Sequence, residues 1–69
     1  MPTITIQLNG EKREIVAGSD LVDLLEHFSL PAQRVAVELN GAVIRRTEWA
    51  GTTLGDGDKI EVVHFVGGG

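Results

Sequence analysis

The chain has 69 residues, 42% of them apolar, no cysteine and a formal net charge of −4. That length makes one small domain with a thin margin of stability and no room for a deep catalytic cleft beside its core. The acidic balance argues against a phosphate-binding nucleic-acid footprint and favours protein partners. The lack of cysteine removes disulfides, thiolate nucleophiles and cysteine-based metal sites.

Thr3 to Leu8 (TITIQL) alternates, with Ile4, Ile6 and Leu8 on one face, and predicts a half-buried strand. Asn9-Gly10 is a tight hairpin signal, because both residues tolerate positive φ. Lys12 to Val16 is the return strand, and its charges Lys12, Arg13 and Glu14 suit a sheet edge. Ser19 or Asp20 can cap a helix over Leu21 to Phe28, where Leu21, Leu24, Leu25 and Phe28 form one stripe. Pro31 prevents its continuation.

Arg34 to Gly41 alternates again, with Val35, Val37 and Leu39 inward and Ala36 and Glu38 outward. Asn40-Gly41 is a second hairpin signal, and Ala42 to Arg46 is its return strand. Thr47 to Leu54 reads as a short turn or helical crossover plugged by Trp49 and Leu54. Gly55 to Asp58 (GDGD) is a turn, and Lys59 to Val66 is the last and most apolar strand. The expected fold is α+β, with one main helix covering one face of a mixed sheet of four to five strands. Placing the last strand beside the first and parallel to it gives the ubiquitin-like β-grasp. The expected domain spans 1–66, with 67–69 as a flexible, mobile glycine tail.

Conventional chemistry finds no footing in the sequence. His27 reads as a residue of the helix C-terminus, and His64 as a strand residue facing a polar surface or a partner. Neither has metal-ligand spacing to other candidates, and Asp56 and Asp58 are turn residues. Gly55-Asp56-Gly57 lacks the strand, lysine and helix of a phosphate loop. No catalytic residue and no metal ligand is expected. The first residues carry no signal-peptide pattern, and no apolar run approaches the length of about 20 residues that spans a bilayer, so the expected location is cytoplasmic.

What remains is the end, Gly67-Gly68-Gly69. A terminal carboxylate is an anion at neutral pH and a poor acyl donor. Transfer of AMP from ATP would turn it into a mixed anhydride that a sulfur nucleophile can attack. Glycines without Cβ can thread a narrow channel into another protein's active site. Ordering them costs on the order of 1–2 kcal/mol each, so the folded domain must supply the docking surface.

Taken together, Leu8 to Gly10 (LNG), Asp23 to Glu26 (DLLE), Val35 to Ala50 (VAVELNGAVIRRTEWA), Asp56 to Val66 (DGDKIEVVHFV) and the terminal glycines resemble the ThiS family of sulfur carriers in thiamine thiazole biosynthesis. The resemblance implies that the chain is a protein co-substrate rather than an enzyme. A ThiF-type adenylating enzyme would use MgATP to activate Gly69, and a cysteine persulfide would supply the sulfur of a thiocarboxylate. Thiazole synthase (ThiG) would take that sulfur. ATP, magnesium and all catalytic residues would belong to the partners, with Gly67 and Gly68 threading the partner's site. Carriers for molybdopterin or another acceptor, and covalent modifiers, are the alternatives.

Period-two alternation in Lys59 to Val66 puts Ile60 and Val62 on one strand face and Glu61, Val63 and Phe65 on the other. One helix covers one face only. If Ile60 and Val62 meet the helix, Val63 and Phe65 point away from the core, and they are the expected centre of a partner-docking surface.

Overall fold

A computed structural model describes residues 1–65. Its elements are β1 (Thr3–Leu8), β2 (Glu11–Val16), α1 (Leu21–His27), β3 (Val35–Leu39), β4 (Ala42–Ile44), a 3-10 helix (Arg46–Gly51) and β5 (Lys59–His64). The strands form one five-stranded sheet in the order β2-β1-β5-β3-β4. β5 runs parallel to β1, with Gln7 opposite Lys59 and Leu8 opposite Ile60. It runs antiparallel to β3, from Leu39 opposite Ile60 to Val35 opposite His64. This is the expected mixed sheet. The expected 1–66 boundary and the expected mobility of Gly67–Gly69 lie outside the described residues.

Both hairpins turn on the predicted asparagine-glycine pairs. Asn9 and Gly10 have φ of 50° and 85°, and Asn40 and Gly41 have φ of 52° and 88°. Two successive positive φ values match the twist of the flanking strands, and glycine takes the second without a Cβ penalty. The asparagine side chains do more than turn the chain. Asn9 Oδ1 accepts from the Val62 amide at 2.8 Å, and Asn40 Oδ1 accepts from the Lys59 amide at 2.9 Å. The two hairpins thus clasp β5 from opposite sides.

Of the two candidate caps, Asp20 is the one used. Its carboxylate accepts from the Asp23 amide at 2.8 Å, and Asp23 returns a bond to the Asp20 amide at 3.0 Å. Ser19 instead donates its hydroxyl to the Val16 carbonyl at 2.6 Å. Leu21, Leu24 and Leu25 are buried against Ile6, Leu8, Ile15, Val35, Val37, Trp49, Leu54 and Ile60. Phe28 ends the helix as its C-cap, half-buried, with the Arg13 guanidinium 5.7 Å from its ring centre.

β2 starts at Glu11, one residue before the expected Lys12, and two strands end earlier than in the sequence reading. The return strand expected over Ala42 to Arg46 stops at Ile44, and Arg46 already belongs to the 3-10 helix. The cause is Trp49: it is buried, and its indole N–H donates to the Ile44 carbonyl at 3.0 Å, which pulls the chain off the sheet early. Arg46 lies over that indole at 5.4 Å and donates to the Ala32 carbonyl at 2.6 Å. β5, expected to reach Val66, ends at His64, although the Phe65 amide still donates to the Arg34 carbonyl at 3.0 Å.

Candidate docking face and tail exit

The alternation of β5 sorts its side chains as the core requires. Ile60 is fully buried and Val62 packs partly against the core. Val63 and Phe65 project from the opposite face and are 51% and 52% exposed. The neighbouring strands set the rest of that face. Ala36 is opposite Val63, Glu38 is opposite Glu61, and Val43 of β4 is opposite Glu38. Val43 is 68% exposed. Val43, Ala36, Val63 and Phe65 therefore form an apolar diagonal across three strands, on the side that α1 does not cover. An exposed apolar cluster on a regular sheet face is a recognised mark of an interaction surface.

Phe65 is the last described residue, so the described chain ends on this face. Gly67, Gly68 and Gly69 themselves lie outside the described residues. His64 sits opposite Val35 on the helix-side face of the sheet, yet it is exposed. His27 is in the last turn of α1 and exposed, with its ring edge-on to Phe28 at 4.7 Å. The two histidines belong to different elements and share no partner among the described residues.

Asp56 and Asp58 brace the turn before β5. Asp56 accepts from the Thr5 amide at 2.9 Å. Asp58 accepts from the Gly55 amide at 2.7 Å and from the Asn40 side-chain amide at 3.1 Å. These bonds help to hold β1, β5 and the β3–β4 hairpin together. Among the described residues no group of three or more acidic or histidine side chains gathers as a metal site would.

A sequence model described as the ThiS family matches residues 6–69. The chain belongs to the ThiS family. Within that family's range, the crystal structure of the ThiS thiamine biosynthesis protein from Geobacter metallireducens is 33% identical and superposes with a TM-score of 0.85, covering 96% of this chain and 100% of that one. Such agreement identifies the sheet and helix described above as the ubiquitin-like β-grasp of ThiS. The sulfur carrier protein ThiS of Bacillus subtilis is 38% identical over 65 residues, which is 93% of this chain and 98% of that protein. A thiazole synthase of Magnetococcus marinus is 45% identical over 64 residues, 93% of this chain but 20% of that protein. The ThiS-family chain thus spans about a fifth of the length of that thiazole synthase.

Sequence reasoning put Glu61 on one strand face with Val63 and Phe65 and turned Ala36 and Glu38 outward, but it did not set Val43, Ala36 and Glu38 beside them. Periodicity gives the face of each strand; it does not give the cross-strand register that sets one residue against another.

Proposed function

We propose that this chain is a sulfur carrier in thiamine biosynthesis whose reacting group is the α-carboxylate of Gly69. The observation that carries the reading is the match to the ThiS family, which runs through the terminal glycines to residue 69. The chemistry follows from the group. The Gly69 carboxylate attacks the α-phosphate of MgATP in a ThiF-type adenylating enzyme, and pyrophosphate leaves. The resulting acyl-adenylate has AMP as a good leaving group, so the outer sulfur of a cysteine persulfide captures the acyl carbon as AMP leaves. A second thiol then attacks the donor cysteine's sulfur, breaks the S–S bond by forming a disulfide with that cysteine, and frees the carrier as a thiocarboxylate. That sulfur passes to thiazole synthase (ThiG). The recurrence of this sequence pattern within proteins named thiazole synthase supports that acceptor over molybdopterin.

In this reading the chain contributes no catalytic side chain, and ATP and magnesium are held by the partner. Its own work is to dock and to aim. Val63 and Phe65, with Val43, give the partner an apolar surface, and Gly67 and Gly68 thread the channel that begins beside Phe65. No helix among the described residues is long and apolar enough to cross a membrane. We place the reaction in the cytoplasm.

Intact-mass measurement after incubation with the cognate adenylating enzyme, MgATP and a persulfide donor tests the reading. One oxygen should be replaced by sulfur, and the change should map to the peptide carrying Gly69. Deleting Gly69, or adding a residue after it, should abolish loading while the far-ultraviolet circular dichroism stays the same. Sulfur loading that survives either change would overturn the proposal, and conjugates of higher mass would point to a modifier instead.

A further inference from the structure

The exposed sheet face holds an arrangement that packing alone does not explain. Glu38 and Glu61 are directly opposite each other on β3 and β5. Both project from the face that carries Val43, Val63 and Phe65. Directly opposed like charges destabilise a sheet, because their Cβ atoms stand only about 5 Å apart. No ion pair among the described residues offsets this, the one there being Arg13 with Glu11 on β2; the Lys59 ammonium lies on the same depression without reaching ion-pair distance of either carboxylate. Neither carboxylate makes a side-chain hydrogen bond there. Beside the pair lies a depression of about 400 Å3, lined by Glu38, Asn40, Gly41, Lys59 and Glu61. Val43 borders the pair on the β4 side, and the Ala36–Val63 pair is the next pair of that orientation along the strands.

We propose that this depression receives an arginine side chain of the thiazole synthase docked on the sheet face, its guanidinium bonded to both Glu38 and Glu61. The inference rests on the reading above that this face is the docking surface. A guanidinium is planar and presents five donors in a fixed fork, so it can serve two carboxylates at once; an ammonium is a point charge and fits the pair less well. The surrounding apolar side chains would exclude water from the contact and strengthen it. Repulsion between the two carboxylates in the free protein becomes attraction for a single cation in the complex. The pair thus works as a specificity element, rejecting surfaces that cannot present a positive charge at that point.

The test is a calorimetric titration of the cognate thiazole synthase with four proteins: wild type, Glu38→Gln/Glu61→Gln, Phe65→Ala, and Glu26→Gln/Glu48→Gln. The last changes net charge equally but on α1 and the 3-10 helix. The sheet-face double variant should bind about tenfold more weakly or worse, with a flatter dependence on salt. Its melting temperature should be equal to or above wild type, because the repulsion is gone. The control double variant should bind within about twofold of wild type, since single exposed charges act weakly at a distance. Wild-type affinity in the sheet-face double variant, with Phe65→Ala weakened, would overturn the arginine contact and leave the docking face standing. Undiminished binding by Phe65→Ala would reject the docking face itself. An affinity loss that appears with magnesium and vanishes with EDTA would assign the pair to a bridging cation and also overturn the inference. Equal losses in both double variants would reduce the effect to net charge and overturn it likewise.

Discussion

Ile60 lies within β5 and Phe65 immediately follows it, and the two differ in burial. Ile60 is fully buried at the centre of the core, whereas Phe65 is 52% exposed at the mouth of the tail. Truncating Ile60 to alanine removes buried methyl groups and leaves a cavity, at a cost of about 2–5 kcal/mol. A domain of this length holds only roughly 3–10 kcal/mol in all, so Ile60→Ala brings the fold to the edge of unfolding. Phe65→Ala loses partial burial only, about 1 kcal/mol. Thermal unfolding of the two variants, measured beside partner binding, separates the roles: Ile60→Ala should melt far lower, and Phe65→Ala should bind worse at nearly unchanged stability. A Phe65→Ala melting point as low as that of Ile60→Ala would place Phe65 in the core.

At the level of elements, α1 is the most vulnerable. It has seven residues, too few for a helix to persist in water on its own propensity. Two things hold it: the buried face of Leu21, Leu24 and Leu25, and the reciprocal capping between Asp20 and Asp23. Asp20→Ala removes the acceptor for the Asp23 amide and should cost about 0.5–2 kcal/mol. Denaturant unfolding at unchanged m-value would measure it, and Asp20→Asn, which keeps the acceptor, should recover most of the loss. No recovery by asparagine would mean that the carboxylate acts by charge near the helix start rather than as a cap. The 3-10 helix is held differently, by the Trp49 indole and its bond to Ile44. That tertiary anchor is why the β4 strand ends sooner than its alternation suggests.

Across the whole molecule, β5 is the hub. It pairs with the first strand on one side and with β3 on the other, so the last strand closes the sheet only when both hairpins are in place. The Asn9 and Asn40 side chains bond its amides at Val62 and Lys59, and Asp56 ties the preceding turn to Thr5. Such closure predicts a gradient of protection. Amides of β5 and β1 should exchange only by global opening, while β4, a three-residue edge strand, should exchange by local fraying. Native-state hydrogen exchange reads this directly, and β4 amides as slow as those of β5 would contradict it. In the proposed function β5 is also the strand that leads to the tail.

The elements themselves were legible in the sequence. The hairpins were visible because Asn-Gly carries a backbone requirement, and α1 because three leucines repeat at helical spacing. The outward direction of Val63 and Phe65 was visible because a strand has period two. These are local properties, fixed by residues a few positions apart. The juxtaposition of Glu38 with Glu61 was not legible, because it depends on the register between strands more than 20 residues apart in the chain, whereas Val43 meets Glu38 across the short Asn40-Gly41 hairpin. The early end of β4 was hidden for the same reason: Trp49 had first to find its place in the core. Local chemistry thus determined which faces this protein has, and only the packing of the sheet decided which residues share them.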